Sequence, residues 1–314
     1  MLEWPHVLAR FGQSVSTLLV FGTSAFYLYD ARSVSIGTGV PPHGGSGRLL
    51  KTACVVALAS SLAGLMAEAA SVTGDPSNAW SGSTVWAVVS TTHFGEITAL
   101  RILLLSICTL AAFVQPAGRP LWFLETALGA GVVTSYAWTG HGALDEGVAG
   151  VVHLGGDVLH LLTAGIWIGA LAALGTAIHR CLAAQTLTDA RRAVESLERF
   201  SAVGAAVIGL LVLGGLMNAW YLIGPNRWSA LLTSAYGRAL VVKIALFAPM
   251  LVLACANRFW LTPKLRTRVE QASSLDGALR RLRLTVTSET VLALLVLAAV
   301  AVLGTLEPPV STSP

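Results

Sequence analysis

The chain has 314 residues, of which 54% are apolar and only 11% are charged. A soluble domain carries roughly 25% charged residues, so this composition excludes an ordinary soluble globular protein. It also excludes a disordered chain, which requires low hydrophobicity and high charge. The formal net charge is only +4 and the four cysteines form no CxxC pair, so nothing indicates a nucleic-acid partner, a disulfide framework or a zinc finger. The composition predicts a polytopic membrane protein whose first partner is the lipid bilayer.

Eight stretches are long and apolar enough to span a membrane, since one span needs roughly 20 mostly apolar residues. None alternates apolar and polar residues as a barrel strand does. The predicted fold is therefore an all-α transmembrane helix bundle that forms a single membrane domain over residues 1–314. The start of the chain lacks the pattern of a cleaved signal, so we expect it to be the first span. In chain order, the predicted spans are Val7–Tyr29, Leu49–Val72, Phe94–Val114, Pro120–Trp138, Gly150–Ile178, Phe200–Ile223, Tyr236–Asn257 and Leu284–Leu306.

Basic residues are confined to alternate loops between these spans. The loops after the first, third, fifth and seventh spans hold fifteen lysines and arginines, whereas the other three loops hold only Arg227. The positive-inside rule places the basic loops in the cytoplasm. We therefore expect both termini outside, in the periplasm of a cell with two membranes, and residues 259–283 to form a basic cytoplasmic loop.

The seven histidines are unevenly divided between the two predicted faces of the membrane. His43 and His179 fall on the cytoplasmic side, and the other five fall at or near the outer ends of the spans. An imidazole is costly in lipid unless it has a metal, a haem or a hydrogen-bond partner. These five histidines are therefore candidates for a site: His6, His93, His141, His153 and His160.

The fifth predicted span carries the densest polar pattern. His153, Asp157 and His160 stand at i, i+4 and i+7, so they share one helix face. Asp157 is placed to orient an imidazole, as a carboxylate behind a metal ligand does. The two histidines are too far apart for one metal on an unbroken helix, so we expect two sites, or one ligand and one relay. The alternative is a polar helix seam that binds no metal.

Further candidates fall near the same predicted outer face. His93 opens the third span, and His141 is flanked by glycines that let a ligand approach the backbone. Met217 of the sixth span is a candidate thioether ligand. Glu68 of the second span is, like Asp157, a candidate carboxylate behind the ligands.

Imidazole and thioether donors together suit copper, especially Cu(I), better than magnesium or calcium, which prefer oxygen. The depths of the candidates along the spans predict two successive sites. We expect a shallow capture site that uses His141 and His153, and a deeper site at His160 with His93 or Met217.

Other polar residues in the spans invite structural interpretations. Unpaired cations are expensive in lipid, so we expect Arg101, Arg238 and Lys243 to be buried beside Glu68, Glu96 or Asp157. The cysteines map to the inner half of the membrane or its cytoplasmic edge. We interpret them as packing residues, the alternative being soft donors on an inward copper route. The four are Cys54, Cys108, Cys181 and Cys255.

An ordered series of motifs runs through residues 90–306. It comprises STTHFGEITALR, TGHG, GDVLHLLTAGIWIGALAAL, RFSAVGAAVIGLLVLGGLMNAW, YGRALVVKIAL and NRFWLTPKL. This series resembles the copper resistance protein D family of bacterial inner-membrane proteins. The resemblance implies a multi-pass protein of the inner membrane that takes part in copper uptake, often beside a periplasmic copper carrier of the CopC type. The family's histidines carry over onto His93, His141, His153 and His160.

The leading functional hypothesis is a copper-handling permease that imports copper ions through outer-face His and Met sites and is not an enzyme. No Walker motif is present, so we do not expect direct drive by ATP. One alternative is a membrane oxidoreductase that binds haem b, because paired helical histidines are able to ligate haem iron. Another is an assembly factor that delivers copper to a second protein.

Overall fold

The structure, a computed structural model, describes residues 4–30, 46–116, 118–140, 147–184, 186–224, 226–271 and 273–309. These residues are almost entirely helical and contain no strand, which confirms the predicted all-α class. The helices are α1 (Trp4–Asp30), α2 (Ser46–Thr73), α3 (Gly82–Thr91), α4 (His93–Val114), α5 (Arg119–Trp138), α6 (Gly147–Ala184), α7 (Leu187–Ile223), α8 (Ala230–Thr233), α9 (Ala235–Ala256), α10 (Thr262–Glu270) and α11 (Asp276–Leu303).

Eight of the described helices have 20 residues or more, and their positions match the eight predicted spans. Six segments are apolar enough to cross a membrane by composition alone, namely α2, α4, α6, α7, the continuous segment from α9 to α10, and α11. Helix α1 is more polar because it buries side chains such as Gln13 and Thr17 inside the bundle. The polytopic helix bundle is thus confirmed, while the number of spans and the side on which the termini lie stay predictions.

Local sequence signals set the helix boundaries. The Thr92 hydroxyl accepts a hydrogen bond from the Gly95 amide at 3.0 Å and caps the start of α4. Thr186 caps α7 in the same way. Such caps satisfy amides that have no partner within the helix. Helix α9 continues through a π-helical segment, Asn257–Leu261, into α10. The segment predicted as a basic loop, residues 259–283, is therefore largely helical.

Helix α1 lies at the centre of the bundle and packs against α2, α5, α6 and α11. Its closest approach is to α6, where the backbone at Gly22 meets Gly165 and Gly169. A side-chain carbon on Gly22 would overlap the Gly165 carbonyl, so only glycine allows the two helices to come this close. The GxxxG pattern of α6 is therefore a packing face, as small residues spaced by four commonly are.

The bundle has two chemically distinct ends. We call one the histidine end, because α4 and α6 begin there with His93 and, two turns into α6, His153. Arg227 ties the chain after α7 to the chain after α11 at this end, through a 2.6 Å bond to the Pro309 carbonyl. At the opposite, basic end, Arg199 of α7 forms a 2.7 Å ion pair with Asp30 of α1. The alternation of basic and non-basic loops thus corresponds to the two ends of the folded chain.

A short surface layer covers part of the histidine end. A 3-10 turn (Pro76–Trp80) and α3 pack on α2 and α4, and Val88 is buried against Leu65 and Ala69. Trp80 and Trp86 remain exposed. Tryptophan is enriched where a membrane meets water, so this layer is suited to that boundary.

Candidate metal site between helices α6 and α7

The polar face of α6 is directed at α7 along its whole length. The i, i+4, i+7 spacing predicted a shared helix face for three side chains, and the structure confirms it. Because α6 and α7 run antiparallel, each of the three meets a group that lies progressively earlier in α7. We call these three side chains and their α7 partners the polar ladder; its α6 members are His153, Asp157 and His160.

His153 forms the rung nearest the histidine end. Its side chain is only 2% exposed and stacks on the Tyr221 ring, with 4.5 Å between centroids and 8° between planes. Stacking covers one face of the imidazole and does not involve the plane of the ring. A metal ligates imidazole in that plane, so the stack and a metal bond are compatible.

Asp157 forms the middle rung. The Asn218 side-chain amide donates a 2.9 Å hydrogen bond to Asp157 Oδ1. The carboxylate also lies close enough to Tyr236 and Lys243 of α9 to interact with them electrostatically. Asp157 is therefore the acidic centre of a junction between α6, α7 and α9.

His160 forms the deepest rung. Its Nδ1 lies 2.9 Å from the Leu211 carbonyl oxygen, a contact that requires Nδ1 to carry the hydrogen. In the neutral ring this leaves the lone pair on Nε2, the nitrogen that would face a metal. The ring fits because α7 has glycine opposite it, and a side-chain carbon on Gly214 would lie 2.9 Å from His160 Cβ.

Met217 lies between the two histidine rungs. Its side chain packs over Gly156, where an added side-chain carbon would meet the Met217 methyl at 2.8 Å. Gly156 is one helical turn before His160, so the thioether occupies the same α6–α7 seam as the deeper histidine. The structure therefore places Met217 in the same seam as the ladder, while its predicted role as a ligand of the deeper site stays a prediction.

One other predicted ligand, His93, stands apart from these rungs. His93 is 62% exposed at the start of α4, and its nearest charged partner is Glu96 at 4.0 Å. Helix α4 packs against α2, α3 and α5. His141 lies outside the described residues. Glu68 of α2 is near Arg10 of α1 and interacts with its charge.

The cations of the spans have different bonding partners from those that the sequence predicted. Arg101 was expected to pair with an acid, yet within the described residues no carboxylate lies within 4 Å of it, so that prediction was wrong. Its guanidinium donates instead to Ser135 and Thr139 and lies 3.9 Å from the Tyr136 ring centroid. Hydroxyls and an aromatic face satisfy it without a countercharge.

The other two cations, Arg238 and Lys243, differ in where their side chains lie. Arg238 was expected to be buried but is exposed and donates to the carbonyls of Leu232 and Thr233, so that prediction was wrong. Lys243 projects from α9 toward the ladder and interacts electrostatically with Asp157 and His160. Among the residues that the structure describes, no carboxylate lies within 4 Å of the Lys243 ammonium, so the predicted ion pair is absent, although Asp157 is near enough to interact with its charge.

The described residues contain no group of three or more His, Cys, Asp or Glu side chains already gathered around one point. The ladder is therefore a series of separate donors along a seam and not a preformed cage.

Comparisons with known proteins decide the family. A family model described as "Copper resistance protein D-like, N-terminal domain" matches residues 1–151, and one described as "Copper resistance protein D" matches residues 194–303. Copper resistance protein D of Pseudomonas syringae pv. tomato is 31% identical over 96% of this chain and 96% of its own length. The chain belongs to the copper resistance protein D family.

Two further relatives agree with this assignment to the copper resistance protein D family. Inner membrane protein YebZ of Escherichia coli is 30% identical over 98% of this chain and its entire length. Copper transport protein CutJ of Bacillus subtilis is 36% identical over 43% of this chain and 24% of its own length. No solved structure matches the chain. The protein is thus a copper-related, multi-pass protein of the inner membrane, and the similarity extends beyond the motifs of residues 90–306.

Two groups of the ladder, and Lys243 beside it, were missed or identified only in part from the sequence. Tyr221 follows Met217 by one turn, so helical spacing from that candidate ligand would have found it. Lys243 was noticed only as a cation that needed an acid. The Leu211 carbonyl carries no signal in the sequence, because a backbone group becomes available only where opposing glycines bring two helices together.

Proposed function

We propose that the protein imports copper ions across the inner membrane and that the polar ladder is the path by which copper enters the bundle. The observation that carries this proposal is the row of donor side chains along the seam between α6 and α7. His153 and His160 lie about 10 Å apart along α6, with the Met217 thioether packed between them. The names of the relatives, which refer to copper resistance and copper transport, support copper as the ion.

The ladder is chemically suited to a soft or borderline cation. Imidazole and thioether donors favour copper, whereas magnesium and calcium prefer oxygen ligands. His160 offers Nε2, since Nδ1 is engaged by the Leu211 carbonyl. Asp157 supplies the negative charge that a cation needs when it leaves water. Successive donors let copper move inward without losing all of its ligands at once.

We assign His93 and Glu68 by their places in the structure, and His141 by its position in the sequence. His93 is exposed at the histidine end and serves as an outermost donor. His141, with His153, forms the shallow capture site. Glu68 adds a carboxylate on the neighbouring side of the same end. With the histidine end in the periplasm, a copper carrier of the CopC type would deliver copper to these exposed donors.

A haem site has no comparable support. The two α6 histidines lie on the same face of one helix about 10 Å apart, so they do not approach one iron from opposite sides. His153 is stacked on Tyr221, and His160 is bonded to the Leu211 carbonyl. A visible spectrum of the purified protein tests this directly, because a Soret band that is lost in His153→Ala and His160→Ala would favour haem over copper transport.

The proposal is tested by reconstituting the purified protein into vesicles that contain a copper-sensitive dye. We expect His153→Ala and His160→Ala each to lower copper uptake by at least about tenfold, the loss typical of a disturbed metal site. His179→Ala is the matched control, because His179 is exposed near the basic end and has no place in the ladder. Wild-type copper binding and uptake in both ladder variants, with normal insertion, would show the path to be wrong.

A further inference from the structure

The half of the bundle that lies away from the ladder contains two buried thiols near a buried carboxylate. Cys54 of α2, Cys108 of α4 and Glu125 of α5 are each 0% exposed. The Cys54 thiol lies 4.0 Å from Glu125 Oε2, and Cys108 lies near enough to both groups to interact with them electrostatically. We call these three side chains the thiol cluster.

The thiol cluster lies toward the basic end of the bundle. Cys54 is eight residues from the start of α2, and Cys108 and Glu125 are each six residues from the ends of α4 and α5 at that side. At about 1.5 Å per residue, all three are about 9 to 12 Å from the basic end. Apolar residues such as Leu121 and Trp122 surround them.

Glu125 differs from the other buried acids of the described chain. Asp30 has Arg199 and Ser196 as partners, and Glu289 accepts a hydrogen bond from the Asn257 amide. Glu125 has only thiols, which are weak donors, and its Oε1 atom has no partner at all. A buried carboxylate without a strong donor is costly, so its presence calls for a missing positive group.

Two thiols beside an under-satisfied carboxylate are the donor set that a soft monovalent cation prefers. Thiolate ligands select Cu(I) among the available metals. We propose that Cys54 and Cys108 form a two-coordinate Cu(I) site, with Glu125 as its positioning carboxylate. This inference rests on the proposed function, and it adds a sulfur site toward the basic end, in the other half of the bundle from the ladder.

The binding step is balanced without a change of oxidation state. Cu(I) arrives as a cation, one thiol passes its proton to the Glu125 carboxylate, and the resulting thiolate binds copper while the second thiol remains a neutral donor. The ion together with the cluster has the same total charge before and after binding. Two sulfur ligands suffice, so the site needs no preformed group of three.

The test measures Cu(I) bound by the full-length protein in detergent, in competition with a chromophoric Cu(I) chelator. We expect the double variant C54S/C108S to bind one Cu(I) fewer than wild type. The matched control is C181S/C255S, which removes the other two cysteines and should bind as wild type does. We expect Glu125→Gln to weaken the sulfur site about 10–100-fold, whereas Glu289→Gln should leave it unchanged.

X-ray absorption of copper in the wild-type protein keeps the test independent of how well the variants fold. Sulfur neighbours that disappear in C54S/C108S support the site, and only nitrogen or oxygen neighbours in wild type overturn it. Vesicle uptake separates this inference from the proposed function. A wild-type protein that transports copper without sulfur-bound Cu(I) refutes the thiol cluster alone, and a protein that transports no copper refutes the import proposal.

Discussion

Two polar regions lie toward the histidine end of the bundle, and they differ in how their polar side chains are hydrogen-bonded. In the first, Arg101 donates to Ser135 and Thr139 and stacks on Tyr136. We call these four residues the arginine cluster. In the polar ladder, His160 uses only Nδ1 and retains Nε2. A region that satisfies its buried cation with neutral groups stabilises the fold, whereas one that retains an imidazole lone pair is able to bind a cation.

The signs of charge extend this comparison. The arginine cluster is centred on a buried cation, and Arg10 lies near enough to add a second positive charge. The ladder is centred on the Asp157 carboxylate, with Lys243 offsetting part of its charge. On the proposed path, a copper ion would be repelled by the first region and attracted by the second, so the cations of α1 and α4 would direct it toward the α6–α7 seam.

The largest expected effect concerns the side of the membrane on which both regions lie. We expect a cysteine at Ser83, exposed at the histidine end, to react with a membrane-impermeant thiol reagent added to intact spheroplasts. A cysteine at Thr188, exposed at the basic end, should react only after lysis. Both are made in a Cys255→Ser background, because Cys255 is the exposed native thiol of the described chain. The reverse labelling pattern would turn the proposed import path into an export path.

The next effect tests the structural role of the arginine cluster. Arg101→Met should lower the free energy of unfolding by about 2–4 kcal/mol, because charged hydrogen bonds to Ser135 and Thr139 are lost inside the bundle. Arg238→Met is the control. Because the Arg238 side chain is exposed, its replacement should lower the free energy of unfolding much less. Denaturant titration in detergent measures both. Loss of copper affinity in folded Arg101→Met protein would show that the two regions are not separate.

The comparison also shows what a single sequence reveals about this site. Helical spacing was sufficient to place His153, Asp157 and His160 on one face, because that relation is local to one helix. It did not identify Asn218 as the partner of Asp157 or hydroxyls as the partners of Arg101, since both depend on how helices distant in sequence pack. A prediction that pairs every buried cation with an acid fails where neutral groups satisfy the cation.

A smaller expected effect distinguishes the role of the negative charge of Asp157 from the role of its hydrogen bond. Asp157→Asn keeps an oxygen that accepts the 2.9 Å bond from Asn218 but removes the negative charge. We expect copper affinity to fall about 10–100-fold while the helix content is retained, as for other groups that orient a metal ligand. Chelator competition measures the affinity, and circular dichroism the helix content. Unchanged affinity would make Asp157 a structural group beside Lys243.

The smallest expected effect tests whether His93 takes part in copper capture or only begins helix α4. The Thr92 hydroxyl caps α4 through the Gly95 amide and so fixes the first helical residue, His93. Thr92→Ala should cost about 1 kcal/mol of stability, and so should Thr186→Ala, the equivalent cap of α7 at the basic end. If His93 is the outermost donor, only Thr92→Ala should also raise the copper concentration required for half-maximal uptake. Equal uptake curves for the two variants would remove His93 from the path and leave copper capture to the α6 side of the histidine end.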